Sequence, residues 1–186
     1  MLATFKKGWV HNIKLIAREG WYDGISVNRV QDNYVVKWGD PNYDNPESDG
    51  EAKPLPEGLK VMSEDEYLAD YTITYRMPRS RPTEVVMDPP FVGIKSDQTY
   101  GDAGFSRGWP VGIIGGRKMK SIEFKNPVLG KLYPVHCYGM VGVGRNYSPD
   151  TGSGAELYTV IGHAPRHLDR NIALVGRIIE GMEHLS

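Results

Sequence analysis

Along the first forty residues the period of the apolar positions changes from helical to β-like. Between Trp9 and Arg18 apolar side chains recur at Trp9, Ile13 and Ile16 and at Val10, Ile13 and Ala17, the spacing of one helix face, and Gly20 stands where a C-terminal cap would. From Ser26 the runs shorten. Val27 and Val30 precede the turn pair Asp32–Asn33, and Tyr34, Val35, Val36 and Trp38 follow it, which predicts a hairpin over residues 26–38. One permanent cation, Arg29, stands among these apolar positions.

The pattern then breaks. Of the 13 prolines, 11 lie between Pro41 and Pro134, a density that excludes a central sheet or a long helix in that region. Within it Ser63 and Glu66 fit a capping box opening a helix of one or two turns, and "DYTITYRM" alternates as a strand does. Its aromatic residues argue against disorder, so residues 41–130 are expected to be a long irregular insertion folded onto a single domain spanning 1–186. From Tyr133 onward "YPVHCYGMVGVGR", "AELYTVIG" and "IALVGRIIEGM" are short β-rich runs separated by turn residues. The predicted fold is therefore mainly β, an antiparallel barrel or sandwich with one or two short helices.

Composition narrows the function classes. A chain of 186 residues, 40% hydrophobic and 24% charged, suits one good core, and a net charge of −1 with no basic run argues against nucleic acid. Cys137 is the lone cysteine, so neither a disulfide framework nor a thiolate cage can form within the chain. No stretch approaches the roughly 18 apolar residues of a membrane span, so no membrane partner is expected. Glu156, His163 and His167 resemble a zinc set in spacing, but Ala164-Pro165-Arg166 forbids a regular helix between the histidines, and a metal is set aside. "GVGRNYSPDTGSG" lacks the Lys-Ser/Thr ending of a phosphate cradle, and no G-x-S-x-G elbow occurs. No cofactor is expected.

The stretch "TGSGAELYTVIGHAPRHLDRNIALVGRIIEGM" resembles the cyclophilins, the peptidyl-prolyl cis–trans isomerases, through Gly154, Glu156, Tyr158, His167-Leu168-Asp169, Gly176 and Glu180-Gly181-Met182. The hairpin "VNRVQDNYVVKWGD" is similar to the family's F-H-R-x-x-x-x-F-M-x-Q-G-G-D, with Arg29 in the place of the catalytic arginine. The resemblance covers residues 5–40 and 133–186, and long insertions like 41–130 occur in a bacterial branch of the family. It implies a cyclophilin-like antiparallel barrel, an isomerase acting on proline-containing polypeptides, and a monomer. It also implies a pocket lined by Tyr34, Val35, Tyr158 and Leu168, with His167 at the rim and Gly144 and Arg145 on the strand that binds extended peptide.

Several positions depart from the family pattern. Its two glutamines are here Lys37 and Glu156, its phenylalanines Tyr34 and Tyr158, its methionine Val35, and a histidine becomes Ile172. Because Lys37 and Glu156 together preserve the net charge beside Arg29, an ion pair between them is expected, which leaves Arg29 oriented for catalysis. Two other arrangements compete: Glu156 clamping Arg29, and Arg29 paired with a buried carboxylate such as Asp40. The rival function is a non-catalytic peptide-binding chaperone or scaffold module. The family's terminal strands find no counterpart in the chain, so a truncated sequence is expected, periplasmic if a signal peptide lies upstream and otherwise cytoplasmic.

Overall fold

The computed structural model describes residues 6–43, 47–76, 84–88, 90–94, 103–114, 128–163 and 165–185. They divide into two compact units, Met1–Tyr67 with His136–Ser186, and Leu68–Val135. The first unit opens with helix α1 (Lys7–Arg18) and strands β1 (Ser26–Gln31) and β2 (Val35–Gly39). The second contributes β3 (Ala69–Arg76), β4 (Glu84–Asp88), β5 (Val92–Ile94), β6 (Ala103–Ser106), β7 (Trp109–Ile114) and β8 (Val128–Pro134). The chain then returns to the first unit with β9 (Met140–Val143), β10 (Leu157–Val160) and β11 (Leu174–Arg177).

Helix α1 follows from its apolar stripe. Trp9, Val10, Ile13 and Ile16 are buried, and Trp9, Val10 and Ile13 pack with Val141, Val143, Leu157 and Val175 from one face of the sheet. Its end is a Schellman motif: the Trp21 N–H donates to the Ile16 carbonyl and the Gly20 N–H to that of Ala17, with Gly20 at φ 66°. The predicted cap residue thus lies one position beyond the cap, Glu19, where a left-handed conformation favours glycine.

Five strands form the first unit's antiparallel sheet in the order β1-β2-β10-β9-β11. Side chains alternate between the face covered by α1 and an opposite face where Val35, Tyr158, Val160 and Leu168 cluster with Tyr34 and Ile172. The hairpin loop is three residues, 32–34, rather than a two-residue turn, and Asn33 takes φ 52° there. The described residues 41–43 and 47–67 belong to this unit. Asn12, fully buried, donates to the Lys60 and Ser153 carbonyls and accepts from the Lys60 N–H, and Trp21 Nε1 donates to the Pro54 carbonyl. The capping-box glutamate accepts the Ser63 N–H at 3.0 Å and opens a single 3-10 turn, Glu64–Tyr67.

The expectation of an irregular 41–130 insertion needs correction. The second unit carries a six-stranded antiparallel sheet, β4-β3-β8-β7-β6-β5, in which the predicted strand at 69–76 is β3. Proline is compatible with it because of position. Of the described strand residues only Pro110, second in β7, and Pro134, last in β8, are prolines. Met77 of "DYTITYRM", Ala164 and residues 44–46, 77–83, 89, 95–102 and 115–127 of the region lie outside the described residues.

Candidate active site

Strand β1 is not regular. Its register against β2 steps from Val27↔Trp38 to Arg29↔Lys37, two residues against one, so Asn28 is the extra residue of a β-bulge. A bulge resets the alternation and re-aims the side chains that follow it. Arg29 consequently heads a cross-strand row, Arg29–Lys37–Tyr158–Gly142. The row runs on to Leu174, and its member at 142 is glycine, where a side chain would run into the Tyr158 ring. Along this row opens a pocket of about 150 Å³, lined by Arg29, Tyr34, Val35, Lys37, Gly144, Arg145, Tyr158, Leu168 and Ile172. Of the sequence-predicted site residues, only Glu156 and His167 stand outside that lining. Ile172, which the sequence marked only as a departure, is part of it.

The charges around the pocket are partnered in a definite way. Lys37 Nζ lies 3.5 Å from Glu156 Oε2, with the two side chains 15% and 6% exposed. Glu156 also accepts the Asp40 N–H at 2.9 Å and, more weakly, Asn28 Nδ2 at 3.5 Å, and its carboxylate fills the space beside Gly39 that a side chain would take. Burial pushes the Glu156 carboxyl above its ordinary range, against the pull of the Asp40 N–H and Lys37. Neither competing arrangement of Arg29 is present. Asp40 is buried and accepts the Asn42 and Lys53 N–H groups, while the exposed Arg29 donates from Nη2 to Gln31 Oε1 at 2.7 Å.

Behind the pocket wall lies a group the sequence reading missed. Tyr158 donates its hydroxyl to His136 Nε2 at 2.7 Å, and His136 Nδ1 meets Asp169 Oδ1 at 2.8 Å, all three side chains being buried. Asp169 Oδ1 also accepts the His136 N–H at 2.9 Å. Burial lowers the His136 pKa, so the neutral ring donates from Nδ1 and accepts at Nε2. The signal was available: a tyrosine in place of a family phenylalanine needs a hydrogen-bond partner once buried. At the rim, Tyr34 stacks on His167 at 5.7 Å between ring centroids and its hydroxyl lies 2.9 Å from His167 Nε2. Arg145 is held by the carbonyl and side-chain oxygens of Asn171. A larger cavity of about 270 Å³ shares Lys37, Gly144 and Arg145 with the pocket and continues past Glu156 to Trp21 and Leu55. The zinc-like trio has dispersed partners, with His163 on Asn33, and among the described residues no cluster of three or more His, Cys, Asp or Glu could hold a metal ion.

The antiparallel sheet, backed by one helix and carrying the Arg29 pocket on its other face, has a cyclophilin-like fold. The chain belongs to the cyclophilin type peptidyl-prolyl cis-trans isomerase/CLD family, whose description matches residues 9–186. Among solved structures it is similar to the cyclophilin AquaCyp293 from Hirschia baltica, with a TM-score of 0.65 and 22% identity over 98% of this chain. The chain spans 59% of that protein's length. No curated protein matches it. Among the described residues no helix is long and apolar enough to cross a membrane.

Proposed function

We propose that the protein is a peptidyl-prolyl isomerase acting on Xaa-Pro bonds of polypeptides, with Arg29 as the donor that stabilises the twisted amide. Rotation about an Xaa-Pro bond costs about 18–20 kcal/mol because amide resonance is lost at the top of the barrier. The prolyl nitrogen then recovers a lone pair that neither planar isomer offers. A guanidinium hydrogen-bonded to that nitrogen binds the transition state better than either ground state, and each 1.4 kcal/mol of the difference is worth about tenfold in rate. The observation that carries the reading is Arg29 lining the same pocket as Tyr34, Val35, Tyr158 and Leu168. Those side chains suit the proline ring, Gly144 and Arg145 suit the extended peptide before it, and no proton transfer is required.

A second reading, peptide binding without catalysis, is favoured by the replacement of both glutamines of the family pattern by the Lys37–Glu156 pair. A protease-coupled assay with a proline peptide separates the two. The isomerase reading expects wild-type acceleration that disappears in Arg29→Ala. Because Arg29 is exposed, its removal should leave the melting temperature unchanged. An inactive wild type that still binds the peptide would establish the second reading instead.

A further inference from the structure

We infer that Gln31 is the positioning residue of the pocket arginine, holding the Arg29 guanidinium through its amide oxygen; the inference rests on the isomerase reading above. A guanidinium on a four-bond stem samples many rotamers, and an unheld one meets the prolyl nitrogen only part of the time. Some acceptor must narrow that distribution. Glu156 is committed elsewhere, its carboxylate shared by Lys37, the Asp40 N–H and Asn28. The acceptor that Arg29 meets is Gln31 Oε1, 2.7 Å from Nη2.

Gln31 is well placed for this task. Two residues beyond Arg29 on β1, it shares the face that the Asn28 bulge turns toward the pocket. Its backbone is fixed by pairing with Val35 and by accepting the Tyr34 N–H at 3.1 Å. The chemistry of the acceptor matters as much as its position. A neutral amide oxygen takes one of the five N–H donors and leaves the full positive charge and the remaining donors for the substrate. A carboxylate at the same place could grip two donors and neutralise the charge the twisted amide needs.

The test combines steady-state kinetics with 15N NMR of the Arg29 guanidinium, in the full chain with Gln31→Ala and Gln31→Glu. Gln31→Ala should free rotation about the Cζ–Nη bonds and lower kcat by about two- to tenfold, the range one hydrogen bond supports, with KM and melting temperature unchanged. Gln31→Glu should slow that rotation below wild type and still lower kcat, because the donor is held and muted. An active wild type whose guanidinium rotation and kcat are unaltered by Gln31→Ala overturns the inference. So does an equal effect of Gln31→Ala on KM and kcat/KM, which would make Gln31 a peptide contact. If the wild type is inactive while Gln31→Ala still frees the guanidinium, the contact is real but its catalytic role falls together with the isomerase reading.

Discussion

At the scale of single residues, the site depends on which partner each charge has. Lys37 and Glu156 face each other at 3.5 Å while Arg29 turns to Gln31, so three charges beside one pocket are arranged without Glu156 reaching Arg29. Replacing both Lys37 and Glu156 by glutamine should therefore preserve activity. Lys37→Gln frees Glu156 to capture the guanidinium, and Glu156→Gln leaves Lys37 repelling it, so each single variant should be slower, with a coupling energy of about 0.5–3 kcal/mol. Strictly additive effects in the four-protein cycle would remove the pair from the mechanism. Acid should act like Glu156→Gln. The Glu156 pKa is raised above 4.5 by burial, so it protonates before ordinary carboxylates as pH falls. An acid limb in kcat/KM with its midpoint above 4.5 is expected in the wild type and not in Glu156→Gln. The same shift has the opposite sense for stability: a raised carboxyl contributes most below 4.5 and loses that contribution as pH rises through its folded value. Arg29, Tyr34, Val35, Tyr158 and Leu168 were legible because the hairpin and C-terminal motifs fix their order. Gln31 was not, since it acts through a bulge that no residue pattern announces, and His136 was signalled only indirectly, by a tyrosine at 158 that needs a hydrogen-bond partner once buried.

At the scale of elements, the bulge and the pairing of β10 between β2 and β9 bring residues from distant parts of the chain to one face. Helix α1 was readable from period because one stripe of it is buried, and the hairpin from its turn pair between two short apolar runs. The second unit's sheet was not, because proline counted over a long window does not show that, of the described strand residues, only Pro110 and Pro134 are prolines. A further element-level device is the buried link that ties Tyr158 of β10, through His136, to Asp169 after the 3-10 turn Arg166–Leu168. Its pH behaviour has a definite sign. With a folded pKa depressed below 6.5, His136 stays neutral in the native state while the unfolded chain takes up a proton. Stability is thus fully present above 6.5 and is lost as pH falls toward the folded value. Urea midpoints should decline on acidification through and below pH 6.5 in the wild type, and more shallowly in His136→Gln. Parallel declines in the two proteins would assign the acid sensitivity to other groups.

At the scale of the molecule, the family match runs from residue 9 to residue 186, and among the described residues the pocket is lined by the unit formed by Met1–Tyr67 and His136–Ser186. On the proposed function, this unit lowers the barrier to Xaa-Pro rotation through Arg29 rather than merely holding proline peptides. NMR exchange spectroscopy on one proline peptide tests it most directly, because the same spectra report binding and cis–trans interconversion. Uncatalysed interconversion takes tens to hundreds of seconds, so any exchange on the second timescale is due to the protein. Such exchange is expected with the wild type, and with Arg29→Ala retained binding shifts without exchange. Wild-type binding shifts with no accelerated exchange, or exchange undiminished in Arg29→Ala, would contradict it.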